Sequence, residues 1–174
     1  HMGTFLEQGI GVKQDRKAAL TYFRKAADLG NPQGQLVVGK MMVEAFYAPE
    51  IPLADKDKGM DIAANILRCA LDQKLADAGY ELGMHYAYRT QTNSPWRRDQ
   101  TADALRAFQA AGKLGHGNSL YWLHSSFRDG SDGVEKDTVR AACYEKLWDE
   151  VREDPSKRFP NLDSLCPLPP KPMP

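Results

Sequence analysis

The stretch that decides the fold runs from residue 9 to residue 30 and reads GIGVKQDRKAALTYFRKAADLG. It opens with a turn pattern, in which Gly9 and Gly11 precede Asp15, and continues as a helix pattern that ends at Gly30. Apolar residues recur in it at intervals of three and four, which is the spacing of one face of an α-helix. Alanine dominates that face where a core helix would normally carry leucine, so the small residues need an explanation.

The same pattern returns along the chain, which makes the helix part of a repeat. In the first half of each copy, Gly39 occupies the position that Gly83 and His124 occupy in the next two copies. Successive copies are offset by 44, 41 and 37 residues. The second halves align on one alanine, which recurs as Ala19, Ala63, Ala104 and Ala141.

Each copy predicts a pair of helices, and the fold class is therefore all-α, an α/α solenoid of about four helix-pair repeats. Small residues at the crossing points let the helix backbones approach closely, which explains the alanines. Asp15 and Asp137 are predicted as N-caps or first-turn residues. The predicted helices cover residues 3–9, 15–29, 32–46, 58–75, 77–89, 100–114, 117–129 and 137–153.

The composition changes near residue 154, so we divide the chain into a repeat solenoid, 1–153, and a Pro-rich C-terminal tail, 154–174. Frequent prolines disfavour a regular helix and favour an extended, polyproline-like chain. We expect the tail to run over the last helix pair as a cap, with an SH3-type ligand role as the alternative. The residues expected to pack down are Phe159, Leu162 and Leu165.

Overall charge disfavours nucleic acid and anionic membranes as partners. Lys plus Arg and Asp plus Glu both total 23, so no long-range field attracts a polyanion. No apolar run approaches the roughly 18 residues that a membrane-spanning helix needs. With 174 residues and 42% hydrophobic residues, the chain is long enough for a continuous core.

Candidate catalytic or metal-binding groups are sparse, and we predict a non-enzyme without metal or cofactor. His85 and Glu81 share a helical face but lack a third ligand, so we expect a solvated pair. His116 is predicted in a turn between helices. His124 and Ser125 are consecutive helical residues, whose side chains point about 100° apart and so do not suit proton transfer.

The three cysteines, Cys69, Cys143 and Cys166, are too widely spaced for a zinc cluster. One possibility is that all three are buried or incidental thiols. The other is a Cys143–Cys166 bridge that pins the tail to the last helix in an oxidising compartment.

The combination of Leu-Gly-x-x-Tyr-x-x-Gly, Gly-Val-x-x-Asp and Tyr-x-x-x-Ala-Ala-x-x-Gly resembles the Sel1-like repeat family, relatives of the tetratricopeptide repeats. It is clearest in residues 3–39 and recurs with substitutions to about residue 150. His124 departs from it, since the family pattern has Gly there. We expect this His either to push the helix crossing apart or to turn its ring outward. The loops 45–57 and 90–99 are longer than the usual turn.

By resemblance to the tetratricopeptide scaffold, the first helix of each pair lines a concave groove that binds another protein. Outward positions on these helices, counted from the repeat glycine, give an amphipathic strip. The loop after the third such helix adds an aromatic and a cationic candidate. The predicted partner-binding residues are Lys40, Glu44, Tyr80, Met84, Tyr88, Trp96, Arg97, Tyr121, Ser125 and Arg128. For Tyr80 and Trp96, packing within the protein is an equal alternative.

Residues 94–130, SPWRRDQTADALRAFQAAGKLGHGNSLYWLHSSFRDG, resemble immunity proteins paired with phospholipase effectors of type VI secretion in pseudomonads. The resemblance implies a periplasmic protein that binds a secreted lipase and blocks it sterically. A scaffold for an envelope or signalling complex is the alternative, as is a cytoplasmic location. The enzyme alternative is the β-lactam-binding branch of the family, whose members carry paired cysteines within each repeat. Cys69 and Cys143 lack such partners.

Overall fold

The computed structural model describes residues 2–91 and 98–174, which divide into two units. The first unit is His1–Gln73 and the second is Lys74–Pro174. In the first unit, helices pack pairwise as α1 on α2 and α3 on α4, and the pairs meet where α2 packs on α3. Its helices are α1 (Met2–Gln8), α2 (Arg16–Asp28), α3 (Pro32–Phe46) and α4 (Leu53–Asp72).

The second unit repeats this plan. Here α5 packs on α6, α7 packs on α8, and the two pairs meet where α6 packs on α7. All regular elements in the described residues are helical, which confirms the predicted all-α class. The helices are α5 (Ala76–Gln91), α6 (Thr101–Lys113), α7 (Gly117–Asp129), α8 (Thr138–Glu153) and the one-turn α9 (Leu162–Leu165).

Most predicted helix ends agree with the structure to within two residues, but α4 differs. It begins at Leu53 rather than residue 58 and ends at Asp72 rather than residue 75. From the sequence, the charged residues after Pro52 are predicted to belong to a loop. In the structure they form the first turns of the helix, where the carboxylate of Asp55 faces the positive end of the helix dipole.

The predicted N-caps are confirmed. The Asp15 side chain accepts a hydrogen bond of 2.9 Å from the backbone N–H of Ala18. The Asp137 side chain accepts one of 2.8 Å from the N–H of Arg140. Asn31 caps α3 in the same way. Each cap satisfies one of the N–H groups that a helix N-terminus leaves without an intrahelical partner.

Alanine and glycine mark the places where helices touch. All four repeat alanines are buried, with relative exposures of 2% for Ala19, 0% for Ala63, 1% for Ala104 and 3% for Ala141. A Cβ atom built on Gly34 would come within 2.7 Å of the backbone nitrogen of Ala27 in α2. The helices therefore approach so closely that larger side chains do not fit at these positions.

At the next crossings a glycine faces a large side chain. A Cβ on Gly39 would come within 2.7 Å of Leu67, and one on Gly83 within 2.6 Å of Phe108. Each large residue follows its repeat alanine by four positions. The third crossing reverses this arrangement, since His124 replaces the glycine and Glu145 replaces the large residue.

Of the two expectations for His124, the outward-turned ring was wrong, because the residue is only 5% exposed. The wider helix crossing stays a prediction. The Nδ1 atom lies 3.0 Å from the carbonyl oxygen of Ala141, to which it donates in the tautomer that carries the proton there. Glu145, at the position that Leu67 and Phe108 occupy in the earlier pairs, is exposed. The contact with Ala141 satisfies one ring nitrogen of the histidine.

The C-terminal tail is folded onto α6 and α8. Of the two possibilities for the cysteines, the structure has the Cys143–Cys166 disulfide, and Cys69 is a free, exposed thiol. Phe159 and Leu162 are buried at 5% and 0% exposure, as expected. Leu165 was expected to pack down as well but is 40% exposed, because the turn of α9 directs Leu162 and Cys166 inward instead.

Polar contacts anchor the tail along its length. Buried Arg140 donates to the carbonyl oxygens of Pro167 and Lys171, both at 2.7 Å. Its guanidinium also forms an ion pair with Asp137 and lies 5.3 Å from the ring centroid of Phe127. One side chain thus holds the end of the tail to α8 while all its charge-bearing nitrogens have partners.

A second set of contacts connects the tail to α6. The Tyr144 hydroxyl lies 2.7 Å from Oε1 of Gln109 and 2.9 Å from the carbonyl oxygen of Cys166, and burial raises the pKa of this tyrosine. Lys113 forms an ion pair with Asp163. Burial acts to raise the pKa of Asp163, but hydrogen bonds from Lys113 and Gln109 outweigh it and lower that pKa.

We predict that Cys143→Ala lowers the free energy of unfolding of the second unit by about 3 kcal/mol. The disulfide closes a loop with a sequence separation of 23, and the unfolded chain gains that loop's entropy when the bridge is lost. Trp122 and Trp148 both lie in this unit, so urea unfolding followed by tryptophan fluorescence reports on it.

The matched control is Cys69→Ala, which removes the free thiol. It should have the unfolding free energy of the unchanged protein. When a reductant is added, its unfolding free energy should fall by the same amount as that of the unchanged protein. Equal unfolding midpoints for Cys143→Ala and the unchanged, oxidised protein would contradict the anchoring role of the bridge.

Candidate protein-binding surface

Six of the predicted partner-binding residues lie on α5 and α7 of the second unit. Four are exposed, with relative exposures of 39% for Met84, 51% for Tyr88 and 44% for Tyr121, and Arg128 is exposed as well. The other two, Tyr80 and Ser125, are half-buried. The exposed four combine aromatic, thioether and guanidinium groups, which are the side chains that contribute most binding energy at protein interfaces.

Tyr80 packs where α5 meets the start of α7. Its ring centroid lies 4.9 Å from that of His116 and 5.9 Å from that of Phe108. His116 is the N-cap of α7, because its Nδ1 accepts a hydrogen bond of 3.2 Å from the backbone N–H of Ser119. The proton is therefore on Nε2, which lies 3.4 Å from Oδ1 of Asp77. These contacts fix the N-terminal ends of the two helices beside each other.

Burial lowers the pKa of His116 below its ordinary value, and the nearby carboxylates of Asp77 and Glu81 offset this only in part. The capping hydrogen bond also favours the neutral ring, because Nδ1 can accept only while it is unprotonated. The junction of α5 and α7 is therefore most stable when the imidazole of His116 is neutral.

Tyr121 belongs to an aromatic cluster that the repeat pattern did not predict. Its ring centroid lies 4.7 Å from that of Trp148 on α8, and the guanidinium of Arg152 lies 4.9 Å above the Trp148 ring. We call Tyr121, Trp148 and Arg152 the Tyr121 cluster. The signal in the sequence was the spacing of four between Tyr144, Trp148 and Arg152, which places them along one face of α8.

Arg128 makes a two-bond pair with its neighbour Asp129. Its Nε and Nη2 atoms donate to the two carboxylate oxygens at 2.8 and 2.7 Å. The hydrogen bond raises the pKa of Arg128 and lowers the pKa of Asp129. Both side chains are exposed, so the pair contributes little stability. It orients the guanidinium, and an acidic group on a partner would compete with Asp129 for it.

The remaining candidates lie elsewhere. Lys40 and Glu44 are on α3 in the first unit, half-buried and exposed respectively. Trp96 and Arg97 lie outside the described residues, so their predicted roles stay predictions.

Among the candidate metal-binding groups, His85 departs from its prediction. His85 was expected to form a solvated pair with Glu81, but it is only 2% exposed, because it faces the interior of the second unit. Within residues 2–91 and 98–174, no three His, Cys, Asp or Glu side chains are placed to hold a metal ion. In the same ranges, no helix combines the length and apolar character that crossing a bilayer requires.

No known family model matches the sequence, and no curated protein matches it either. Solved structures do resemble it. One is a Sel1 repeat protein from Oxalobacter formigenes, with a TM-score of 0.66 and 24% identity, covering 86% of this chain and 55% of that chain. Another is c5321, a protective antigen of uropathogenic Escherichia coli strains with an SLR fold; its TM-score is 0.65 at 18% identity, covering 86% of this chain and 29% of that one.

A third similar structure is immunity protein Pa5087 from Pseudomonas aeruginosa. Its TM-score is 0.53 at 24% identity, and the likeness covers 98% of this chain and 74% of that chain. The chain spans about half the length of the Oxalobacter protein and under a third of c5321. At these identities the likenesses describe the fold.

We predict that the second unit loses stability as pH falls from about 7 to 5, and that His116→Asn reduces this loss. Because the pKa of His116 is lowered by folding, the unfolded chain binds the proton more readily, so stability rises with pH across that range. Asparagine caps a helix without titrating. Urea midpoints from tryptophan fluorescence at the two pH values measure the difference.

An NMR titration supplies the direct check, since the His116 ring should show a pKa below 6.5. A ring pKa above that value, or an unchanged pH dependence in His116→Asn, would show that the capping geometry does not control this group.

Proposed function

Because its helix pairs have the fold of the Sel1-like repeat proteins, we propose that this chain is a non-catalytic protein-binding module. We propose further that it is an immunity protein, which binds a secreted antibacterial phospholipase and neutralises it by steric occlusion. Fold does not determine function, so the proposal rests on the surface of the molecule.

The observation that carries the proposal is the exposure of Met84, Tyr88, Tyr121 and Arg128 on the two helices that the repeat assigns to partner binding. Such side chains give a large contact area at low cost in rotamer entropy. The likeness to the immunity protein Pa5087, which covers 98% of this chain, supports the immunity role.

Inhibition by steric occlusion requires only that the module fits the surface of the phospholipase and binds it tightly. A phospholipase must bring its active site to the surface of a lipid bilayer. A bound module that covers the mouth of that site, or the lipid-facing surface around it, prevents the approach. Truncation of a central interface residue typically costs about 2 kcal/mol of binding free energy or more. A few exposed aromatic and Arg side chains are therefore enough for tight binding.

The disulfide supports a periplasmic location, which we propose as the working compartment. Disulfides persist in oxidising compartments and are rare in the reducing cytosol. The Cys143–Cys166 bridge also weakens the β-lactam alternative, because it connects α8 to the tail rather than pairing cysteines within each repeat. Cys69 has no cysteine partner.

The proposal predicts that the double variant Tyr88→Ala, Arg128→Ala binds its phospholipase about a hundredfold more weakly or worse, since two central contacts are removed. Binding is measured by calorimetry against a panel of purified secreted antibacterial phospholipases. Inhibition is measured as hydrolysis of vesicles made of phosphatidylethanolamine and phosphatidylglycerol.

The matched control is Arg106→Ala on α6. Arg106 is also exposed and also pairs with a nearby carboxylate, that of Asp103 at 2.6 Å. This variant should bind and inhibit like the unchanged protein. Tight binding by the double variant would refute the assigned surface. Failure of every phospholipase to bind, with capture of proteins of an envelope or signalling assembly, would favour the scaffold function instead.

A further inference from the structure

A groove in the second unit is filled by the chain's own tail. Its walls are α6 and α8, and the one-turn helix α9 lies between them. Leu162 of that turn reaches the floor, since a Cβ built on Gly112 would lie 3.1 Å from Leu162 and 2.9 Å from Leu120 of α7. The wall residues that contact the tail are Gln109 and Lys113 of α6 and Arg140, Cys143 and Tyr144 of α8.

The first unit contains the same groove, and no segment of the described residues fills it. Its volume is about 750 Å³, and its walls are α2 and α4 with α3 as the floor. On α3 the lining residues include Val38, Met42 and Ala45. The predicted partner-binding residues Lys40 and Glu44 point to another side of the same helix. The groove therefore opens on a different face of α3 from the predicted binding strip.

The two grooves match residue by residue when each wall helix is counted from its repeat alanine. On the α8 wall the tail contacts positions one before, two after and three after Ala141. The same positions around Ala63 on α4 are Ile62, Asn65 and Ile66, and all three line the groove of the first unit.

The other wall matches in the same way. On α6 the tail contacts positions five and nine after Ala104. The same positions after Ala19 on α2 are Arg24 and Asp28, and both line the groove. The internal repeat therefore places a second binding groove for a short segment where the first unit has none of its own.

The chemistry of the groove differs from that around the tail. Arg140, which holds two tail carbonyls, is replaced by Ile62, an apolar residue that is 52% exposed. Met41, also in the lining, is 37% exposed. Lys113, the partner of Asp163, is replaced by an acid, Asp28. The groove is more apolar than its counterpart. On the α2 wall an acid stands at the position of Lys113, and the cation Arg24 stands one turn earlier, at the position of Gln109.

We propose that the groove of the first unit binds a short segment of another polypeptide that resembles the tail in shape and carries the opposite charge at one position, the one equivalent to Asp163. The segment contains one helical turn with apolar side chains three or four residues apart, which fill the space above Val38 and Met42. It carries Lys or Arg where the tail carries Asp163, so that the cation faces Asp28. This site goes beyond the proposed binding strip on α5 and α7.

Lost contacts argue against the tail of a second copy as occupant. The Asp163 of that tail would face Asp28 where it now has Lys113, and so would lose its ion pair. It would also find Asn65 where its Cys166 needs Cys143, and Ile62 where its carbonyls need Arg140. A partner segment with a basic residue at that position would instead form an ion pair with Asp28.

The free thiol of Cys69 lies in the groove lining and provides the measurement. The full-length, oxidised protein is treated with iodoacetamide, and the rate of alkylation at Cys69 is followed by mass spectrometry. Two synthetic probes copy residues 158–168 of the tail with Cys166→Ala. One keeps Asp163, and the other, the lysine peptide, carries Asp163→Lys.

We expect the lysine peptide to protect Cys69 from alkylation, with an affinity about threefold or more above that of the peptide with Asp163, as one exposed ion pair allows. Ile62→Ser, which removes apolar contact area from the groove, should weaken protection, whereas Val139→Ser, at an exposed branched residue on α8, should leave it intact. Asp28→Lys should reverse the preference between the two peptides.

Three results would overturn the proposal. The first is no protection by either peptide, and the second is equal protection by a scrambled lysine peptide. The third is a dimer in sedimentation velocity that shields Cys69 without any peptide, which would assign the groove to a second copy. Since the measurement uses no phospholipase, it succeeds or fails independently of the proposed immunity function.

Discussion

The burial of small residues between packed helices, with one alanine at the same position in each of four pairs, is the constraint on which the remaining structure depends. Ala19, Ala63, Ala104 and Ala141 sit at equivalent points of successive helix pairs, each nearly without solvent exposure. A helix that packs this closely on its partner has little freedom to rotate, so the faces that point to solvent are determined as well. The exposed strip on α5 and α7 and the groove in the first unit both follow from that fixed orientation.

The sequence predicted what depends on periodicity. Helix pairs, the contact role of alanine and the caps at Asp15 and Asp137 follow from local spacing and turn chemistry, and all agree with the structure. The start of α4 did not follow, because a charged run after a proline is equally compatible with loop and with a solvated first turn. Most of the exposed residues on α5 and α7 could be predicted, because equivalent positions in successive repeats face the same side of the helix.

What could not be predicted depends on contacts between distant residues. The burial of His124 goes with its contact to the carbonyl oxygen of Ala141 on the facing helix, which the local sequence around the histidine does not reveal. Trp148 joins Tyr121 across two helices. The groove of the first unit could be recognised only once the position of the tail in the second unit was known. The repeat then assigns an equivalent position in the first unit to each residue that contacts the tail.

The most direct test of the account compares Ala141→Leu with Ala142→Leu. The two alanines are adjacent in α8, but Ala141 is 3% exposed at the helix crossing and Ala142 is exposed. Urea unfolding followed by tryptophan fluorescence should show a loss of about 1–3 kcal/mol for Ala141→Leu, from overpacking, and almost no change for Ala142→Leu. Equal stability of the two variants would contradict the claim that small residues set the distance between the helices.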